Sequence, residues 1–197
     1  MSVSVEGRTR EVIDARGRTV KSLRFFCPLQ QRSLTPASCA KCPRVIRVEP
    51  DRVECDLPRA TLVPSVGMVA DRRVVCVRPE VEIEHADQLC ERERALFLPV
   101  VEGHGLFRGV LWRRDLRKRP SRPGDLLAGI RQVLRVEDAM DTRPLGIDEH
   151  AHVLDAASAM RTERTRSLVV TTLKGVVVGV LTDLALLRWM AASRHAP

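Results

Sequence analysis

The chain has 197 residues and a mass of 22.1 kDa, with 44% hydrophobic and 29% charged side chains. That allows one or two domains with a substantial core and excludes a disordered chain or a large multidomain machine. The net charge is +8, but only Lys21, Lys41, Lys118 and Lys174 are lysine and Asn and Tyr are absent; such arginine bias is what GC-rich coding writes, which discounts part of the basic signal.

The opening residues, Met1 to Arg8, hold no apolar stretch long enough for a signal peptide. The longest apolar run, Val176 to Leu187, is broken by Gly179, Thr182 and Asp183 and falls short of the ~20 residues of a membrane span. A cytoplasmic protein with reduced thiols and no membrane partner is expected.

Residues 1–60 carry 12 basic and 7 acidic side chains and four of the six cysteines. They begin with a basic arm, Arg8, Arg10, Arg16, Arg18, Lys21 and Arg24. Phe25-Phe26-Cys27-Pro28 reads as a strand, and Val45–Val48 with Arg52–Cys55 reads as a hairpin turning at Glu49-Pro50-Asp51. Cys27, Cys39, Cys42 and Cys55 are spaced C-x11-C-x2-C-x12-C. Four thiolates in a tetrahedron suit zinc, and a C-x-x-C pair gives two of them from one tight turn. The expectation is a small zinc-ribbon-like element in which a structural zinc supplies stability that so short a segment lacks. The same ligands would suit iron or an iron–sulfur cluster, or stay unmetallated. Cys76 and Cys90 fall on apolar faces and read as core.

Downstream, the chain repeats itself. Displacing it by 70 residues aligns 77–119 with 147–189 without a gap and with ten identities, from Ala86/Ala156 to Leu116/Leu186, where about three would be expected by chance. In the first copy Val74–Val77 reads as a strand, Ile83, Ala86 and Cys90 as one helix face, and Leu98–Val101 with Leu106–Leu111 as a hairpin turning at Gly103-His104-Gly105. Arg113 to Arg119 is the densest basic run and reads as the solvated end of a helix, closed by Pro120 and Pro123. In the second copy Leu145–Ile147 is a strand, and Asp148 and Glu149 open a helix carrying Val153, Leu154, Ala157 and Met160. Ser167–Thr171 and Val176–Leu181 form a hairpin through Lys174-Gly175, and a last helix carries Leu184, Leu187 and Met190. The order is β-α-β-β-α, twice.

This pattern resembles the tandem cystathionine-β-synthase (CBS) domain pair, or Bateman module. The likeness is carried by Leu98-Pro99-Val100-Val101, Gly105, Gly109-Val110-Leu111 and Asp115-Leu116, and by Leu168-Val169-Val170, Gly175 and Gly179-Val180-Leu181-Thr182. Leu154-Asp155-Ala156-Ala157 before Met160, and Met68 and Met140 ahead of the opening strands, add to it. The resemblance spans roughly residues 62–192 and implies an α/β (α+β) fold, two repeats with pseudo-twofold symmetry, beside the small β-rich metal element. The expected division is 1–60 for the basic arm and four-cysteine element, 61–124 for the first repeat and 125–197 for the second.

The family implies a non-enzymatic regulatory function, a homodimer and an adenine nucleotide in a cleft between repeats. Its motif, Gly-apolar-apolar-Thr/Ser-x-x-Asp, gives a hydroxyl for ribose or phosphate and a carboxylate for the ribose hydroxyls. Both copies depart from it. Asp115 is present but Trp112 replaces the hydroxyl residue; Thr182 is present but Ala185 replaces the acid. The candidate ligand residues are therefore Thr182 with Ile147 and Val169, then Asp115 with Val77 and Pro99; the other reading leaves the clefts to packing.

No Gly-rich phosphate loop, nucleophile elbow or H-E-x-x-H occurs, so no catalytic residue is assigned. Cys39-Ala40-Lys41-Cys42 lacks a thioredoxin βαβ context. The leading expectation is a regulatory sensor that binds an adenine nucleotide and signals to an unidentified protein partner. The alternative is a nucleic-acid-binding protein using the basic four-cysteine element, with the repeats as dimerisation scaffold. A third is a redox or metal sensor working through the thiolates.

Overall fold

The computed structural model describes residues 2–57, 64–71, 73–116, 134–143 and 145–193. The end of the basic run, the linker around Pro120 and Pro123, and the junctions expected near 60 and 124 lie outside them. The described elements are, in chain order, β1 (Ser2–Ile13), β2 (Thr19–Cys27), β3 (Arg32–Leu34), α1 (Pro36–Ala40), β4 (Val45–Val48) and β5 (Arg52–Asp56). Then follow α2 (Val66–Val69), β6 (Arg73–Val77), α3 (Ile83–Arg92), β7 (Phe97–Glu102), β8 (Leu106–Trp112), α4 (Arg113–Leu116) and α5 (Val136–Ala139). The second copy supplies β9 (Gly146–Asp148), α6 (Val153–Thr162), β10 (Ser167–Thr171), β11 (Val177–Thr182) and α7 (Asp183–Ser193).

These residues form two compact units: the described parts of 1–11, 21–74 and 145–197, and those of 12–20 and 75–144. In the first, Arg8 and Arg10 of the expected basic arm lie on β1 and Lys21 and Arg24 on β2. Arg16 and Arg18 fall in the turn between these strands. Val3 and Val5 alternate with the exposed Ser4 and Glu6 along β1, the period of a half-buried strand. β1 pairs antiparallel with β5 (Val3 with Cys55, Val5 with Val53), β5 with β4, and β2 with β3. Phe25, Cys39 and Val53 close the core of this element. A larger core joins Val66 and Ala70 to Val153, Ala156, Met160, Leu168, Val170, Leu181 and Leu186. In the second unit Val77, Ala86, Leu89, Cys90, Leu98, Val100 and Leu111 pack with Val136.

The short helices that precede each copy are exchanged: α2 packs with the second copy, α5 with the first. The hydrogen bonds obey the 70-residue offset. Val66 N–H donates to Ala151 and Gly67 N–H to Glu149, as Val136 N–H does to Val81 and Glu137 N–H to Pro79. Asp71 N–H donates to Val180 and Asp141 N–H to Val110, both at 2.8 Å. The duplication thus reaches back to residue 66. Gly109 and Gly179 sit where these leading segments cross the hairpins: a Cβ at Gly109 would lie 2.5 Å from the Asp141 carbonyl oxygen, and one at Gly179 3.3 Å from that of Asp71.

Helices α3 and α6 end alike. Ala95 N–H reaches back to Cys90 O and Thr165 N–H to Met160 O, with Arg94 and Arg164 left-handed at φ of 52° and 49°. This is the Schellman cap, which normally favours glycine, and both copies place arginine in it.

Two local expectations are corrected. Asp148 belongs to β9 and Glu149 to a turn, so α6 starts at Val153 with His152 as N-cap, its Nδ1 accepting from Leu154 N–H at 3.2 Å. Glu149 is not a solvated helix-dipole acid: it is 1% exposed and accepts from Ser33 N–H at 3.0 Å and from the Ser33 hydroxyl. On α7, Leu186 is buried and Ala185 and Trp189 pack against the core, whereas Leu184, Leu187 and Met190 are exposed.

Candidate functional site

The four expected ligand cysteines arrive from four different places. Cys27 ends β2 and accepts from Gln30 N–H at 3.5 Å. Cys39 lies in α1, which starts at Pro36 behind a Thr35 cap and stops so that Cys42 N–H bonds the Cys39 carbonyl at 2.9 Å. Cys55 sits in β5 opposite Val3 and Val45. All four line one small apolar cavity with Val5, Phe25, Pro28, Leu34 and Val53. Burial, then the field of the neighbouring thiols, pushes Cys39 up and Cys55 up to about 11. Among the described residues, no three His, Cys, Asp or Glu side chains form a group that could hold an ion as placed. The topology gathers the thiols around one space without closing them into a coordination sphere.

A second cavity of about 690 Å³ lies in the same unit, within the 300–1,000 Å³ range of small-molecule sites. It is walled by β1 from Val3 to Arg8, by Phe26 and Pro28, by Gly67 to Asp71, and by Ala185, Arg188 and Trp189 of α7. Phe26 is seated directly over Gly67, whose hypothetical Cβ would meet its ring. Arg8 is 7% exposed, its guanidinium stands over the Phe26 ring at 5.8 Å, and its Nη1 has no hydrogen-bond partner. Burial lowers Arg8 to about 10 against the opposing charges of Glu149 and Asp71, so it is a cation at neutral pH. Asp71 has exposed surface, yet the surrounding protein raises its pKa, partly offset by Arg188 and Arg8. Val5 and Pro28 line both cavities.

The candidate ligand residues are not gathered in the expected way. Ile147 pairs across the sheet with Val170, so Val169 points to the opposite face and is 1% exposed. Likewise Val77 pairs with Val100, which puts Pro99 on the other face. Thr182 ends β11, and its hydroxyl accepts from Ala185 N–H at 3.1 Å. Asp115 lies in α4, 3.8 Å from Arg114. Trp112, which replaces the hydroxyl residue of the first copy, packs on Phe97 at 5.3 Å and carries the Arg114 guanidinium at 4.9 Å. Asp71, Arg188 and Trp189 were not singled out from the sequence, and Arg8 was named only as part of the basic arm. Asp71 was findable: extending the 70-residue comparison backwards sets it against Asp141.

Residues 136–192 match the model of the CBS domain family. Solved structures agree over much more of the chain. One of the protein CBSX2 in complex with AMP is 24% identical and superposes with a TM-score of 0.59, over 67% of this chain and 99% of that one. The fold is that of a CBS domain pair. CBSX2 from Arabidopsis thaliana gives 23% identity and a TM-score of 0.58, over 68% and 99% of the two chains. The CBS pair of MJ0100, in complex with 5′-methylthioadenosine and S-adenosylmethionine, gives 19% and 0.54, over 66% and 98%. A search among functionally curated proteins returns no match. Among the described residues no helix is long and apolar enough to cross a membrane.

Proposed function

We propose that this chain is a non-enzymatic regulatory protein whose CBS pair binds an adenine nucleotide and passes its occupancy to a protein partner. The observation that carries this reading is the 690 Å³ cavity against α7 and the segment leading into β6. It is large enough for a nucleotide and offers cations, a carboxylate and aromatic surface together. CBS pairs of similar fold have been solved with AMP and with S-adenosylmethionine, which supports an adenosine-containing ligand here. The four-cysteine element acts beside it as a structural metal site: Cys27, Cys39, Cys42 and Cys55 line one space, and four thiols suit zinc first, iron second. The exposed stripe of Leu184, Leu187 and Met190 on α7 serves as the contact of a homodimer.

Thermal unfolding with AMP, ADP, ATP and S-adenosylmethionine tests the nucleotide. A ligand held at 100 times its Kd stabilises by about 2.7 kcal/mol, several degrees in melting temperature for a chain of this size. No shift with any of the four at millimolar concentration would reduce the pair to a scaffold.

A further inference from the structure

Ala185 is where the sequence pattern calls for an acid, yet the cavity that Ala185 lines is not without one. Asp71 stands in the same wall, carried there by the exchanged leading segment, whose backbone is fixed by the bond from Asp71 N–H to Val180. That bond uses the main chain and does not engage the carboxylate. Arg188, one turn along α7 from Ala185, lines the cavity too and is near enough to act on the Asp71 charge. Arg8, buried in the β1 part of the lining with an unpartnered nitrogen, adds a second fixed positive charge. A carboxylate that accepts from hydroxyls, a solvent-reaching guanidinium and a buried cation behind them match a ligand with a diol at one end and an anionic group at the other.

We infer that this cavity binds a ribonucleoside monophosphate, with Asp71 accepting from the ribose hydroxyls in place of the acid missing at Ala185 and Arg188 holding the phosphate in the field of Arg8. This rests on the nucleotide reading above and assigns to it residues outside the Gly-apolar-apolar-Thr-x-x-Asp motif.

The test is calorimetric titration of the full chain with AMP, adenosine and 2′,3′-dideoxy-AMP. Asp71→Asn should weaken AMP about 10- to 100-fold, the loss expected for a hydrogen bond to a charged group, and leave dideoxy-AMP nearly unchanged. Arg188→Gln should weaken AMP by a similar factor and leave adenosine unchanged. Adding Ala185→Asp to Asp71→Asn should restore ribose-dependent affinity, which a merely damaged fold would not allow. AMP binding that is equal in wild type, Asp71→Asn and Arg188→Gln overturns this assignment while the nucleotide reading stands. Failure of the wild-type chain to bind AMP also overturns this assignment, and the nucleotide reading falls with it only when ADP, ATP and S-adenosylmethionine fail to bind as well.

Discussion

The glycines of the two hairpins give the most discriminating stability experiment. Gly109 and Gly179 are equivalent by the 70-residue offset, but their surroundings differ. An alanine Cβ at 109 would sit 2.5 Å from the Asp141 carbonyl oxygen and 3.3 Å from its carbon. The obstacle is backbone, held by two bonds: Val110 N–H to Asp141 at 2.9 Å and Asp141 N–H to Val110 at 2.8 Å. Ordinary contact needs nearly an ångström more, so the pair must stretch or break. Two buried hydrogen bonds at about 1 kcal/mol each, with overpacking strain of about 1–3 kcal/mol, sum to about 3–5 kcal/mol, and the lower entropy of the unfolded alanine chain brings Gly109→Ala to roughly 2–4 kcal/mol. At Gly179 the nearest atoms are Asp71 O at 3.3 Å and Ala70 Cβ at 3.4 Å; a few tenths of an ångström suffice. The lower entropy of the unfolded alanine chain returns about 0.4–1 kcal/mol, leaving Gly179→Ala within about 1 kcal/mol of wild type. Urea unfolding gives both values, and amide exchange at Val110 and Asp141 should accelerate only in Gly109→Ala. Equal destabilisation by the two, or a larger effect at Gly179, would refute the claim that the leading segment decides which glycine is indispensable.

Three further outcomes are expected. Replacing Arg94 or Arg164 by glycine should each raise stability by about 0.5–1 kcal/mol in urea unfolding, because both hold a left-handed cap conformation; a loss would mean that their side chains matter more than their φ. Burial pushes the Glu11 carboxyl up, but hydrogen bonds from Arg73 at 3.2 Å and Lys21 at 3.3 Å outweigh it and leave its pKa lowered. Its contribution is therefore present above the ordinary carboxylate pKa and lost as pH falls through the depressed folded value. Glu11→Gln should cost on the order of 1 kcal/mol or less at pH 7 and nothing in strong acid; a cost independent of pH would contradict the pairing. Stripping metal with a chelator, or mutating Cys39 or Cys55 to serine, should lower the melting temperature of the first unit and release about one zinc per chain by elemental analysis; a protein purified without metal and indifferent to chelation ends the metal reading.

The repeat was legible because its chemistry is local. β-branched runs, glycine turns and helix faces recur at a fixed offset and specify the same β-α-β-β-α unit wherever they sit. The hairpin β4–β5 was equally plain, since Pro50 and Asp51 punctuate two β-rich runs. β1 was hidden by its arginines: charged side chains on a half-exposed strand look like a solvated arm, although Val3 and Val5 carried the alternation. Glu149 was misread because nothing nearby in sequence announces that Ser33, 116 residues away, will satisfy its carboxylate. The candidate ligand wall suffered from the period of two. Val169 and Ile147 lie on adjacent strands, but the register that decides which face each presents is set by pairing, not by composition.

The exchange of the short leading helices governs how this chain can be divided. A fragment ending between the copies would retain Val66 and Ala70 without the α6 and α7 surfaces that bury them. It would also leave the first copy open where Val136 belongs. Cutting there exposes two apolar faces at once, and neither piece can close its own core. For the second copy the smallest autonomous version is not a contiguous stretch of sequence, because Val66 and Ala70 of its core precede the first copy. The two halves expressed apart should therefore be recovered only when mixed.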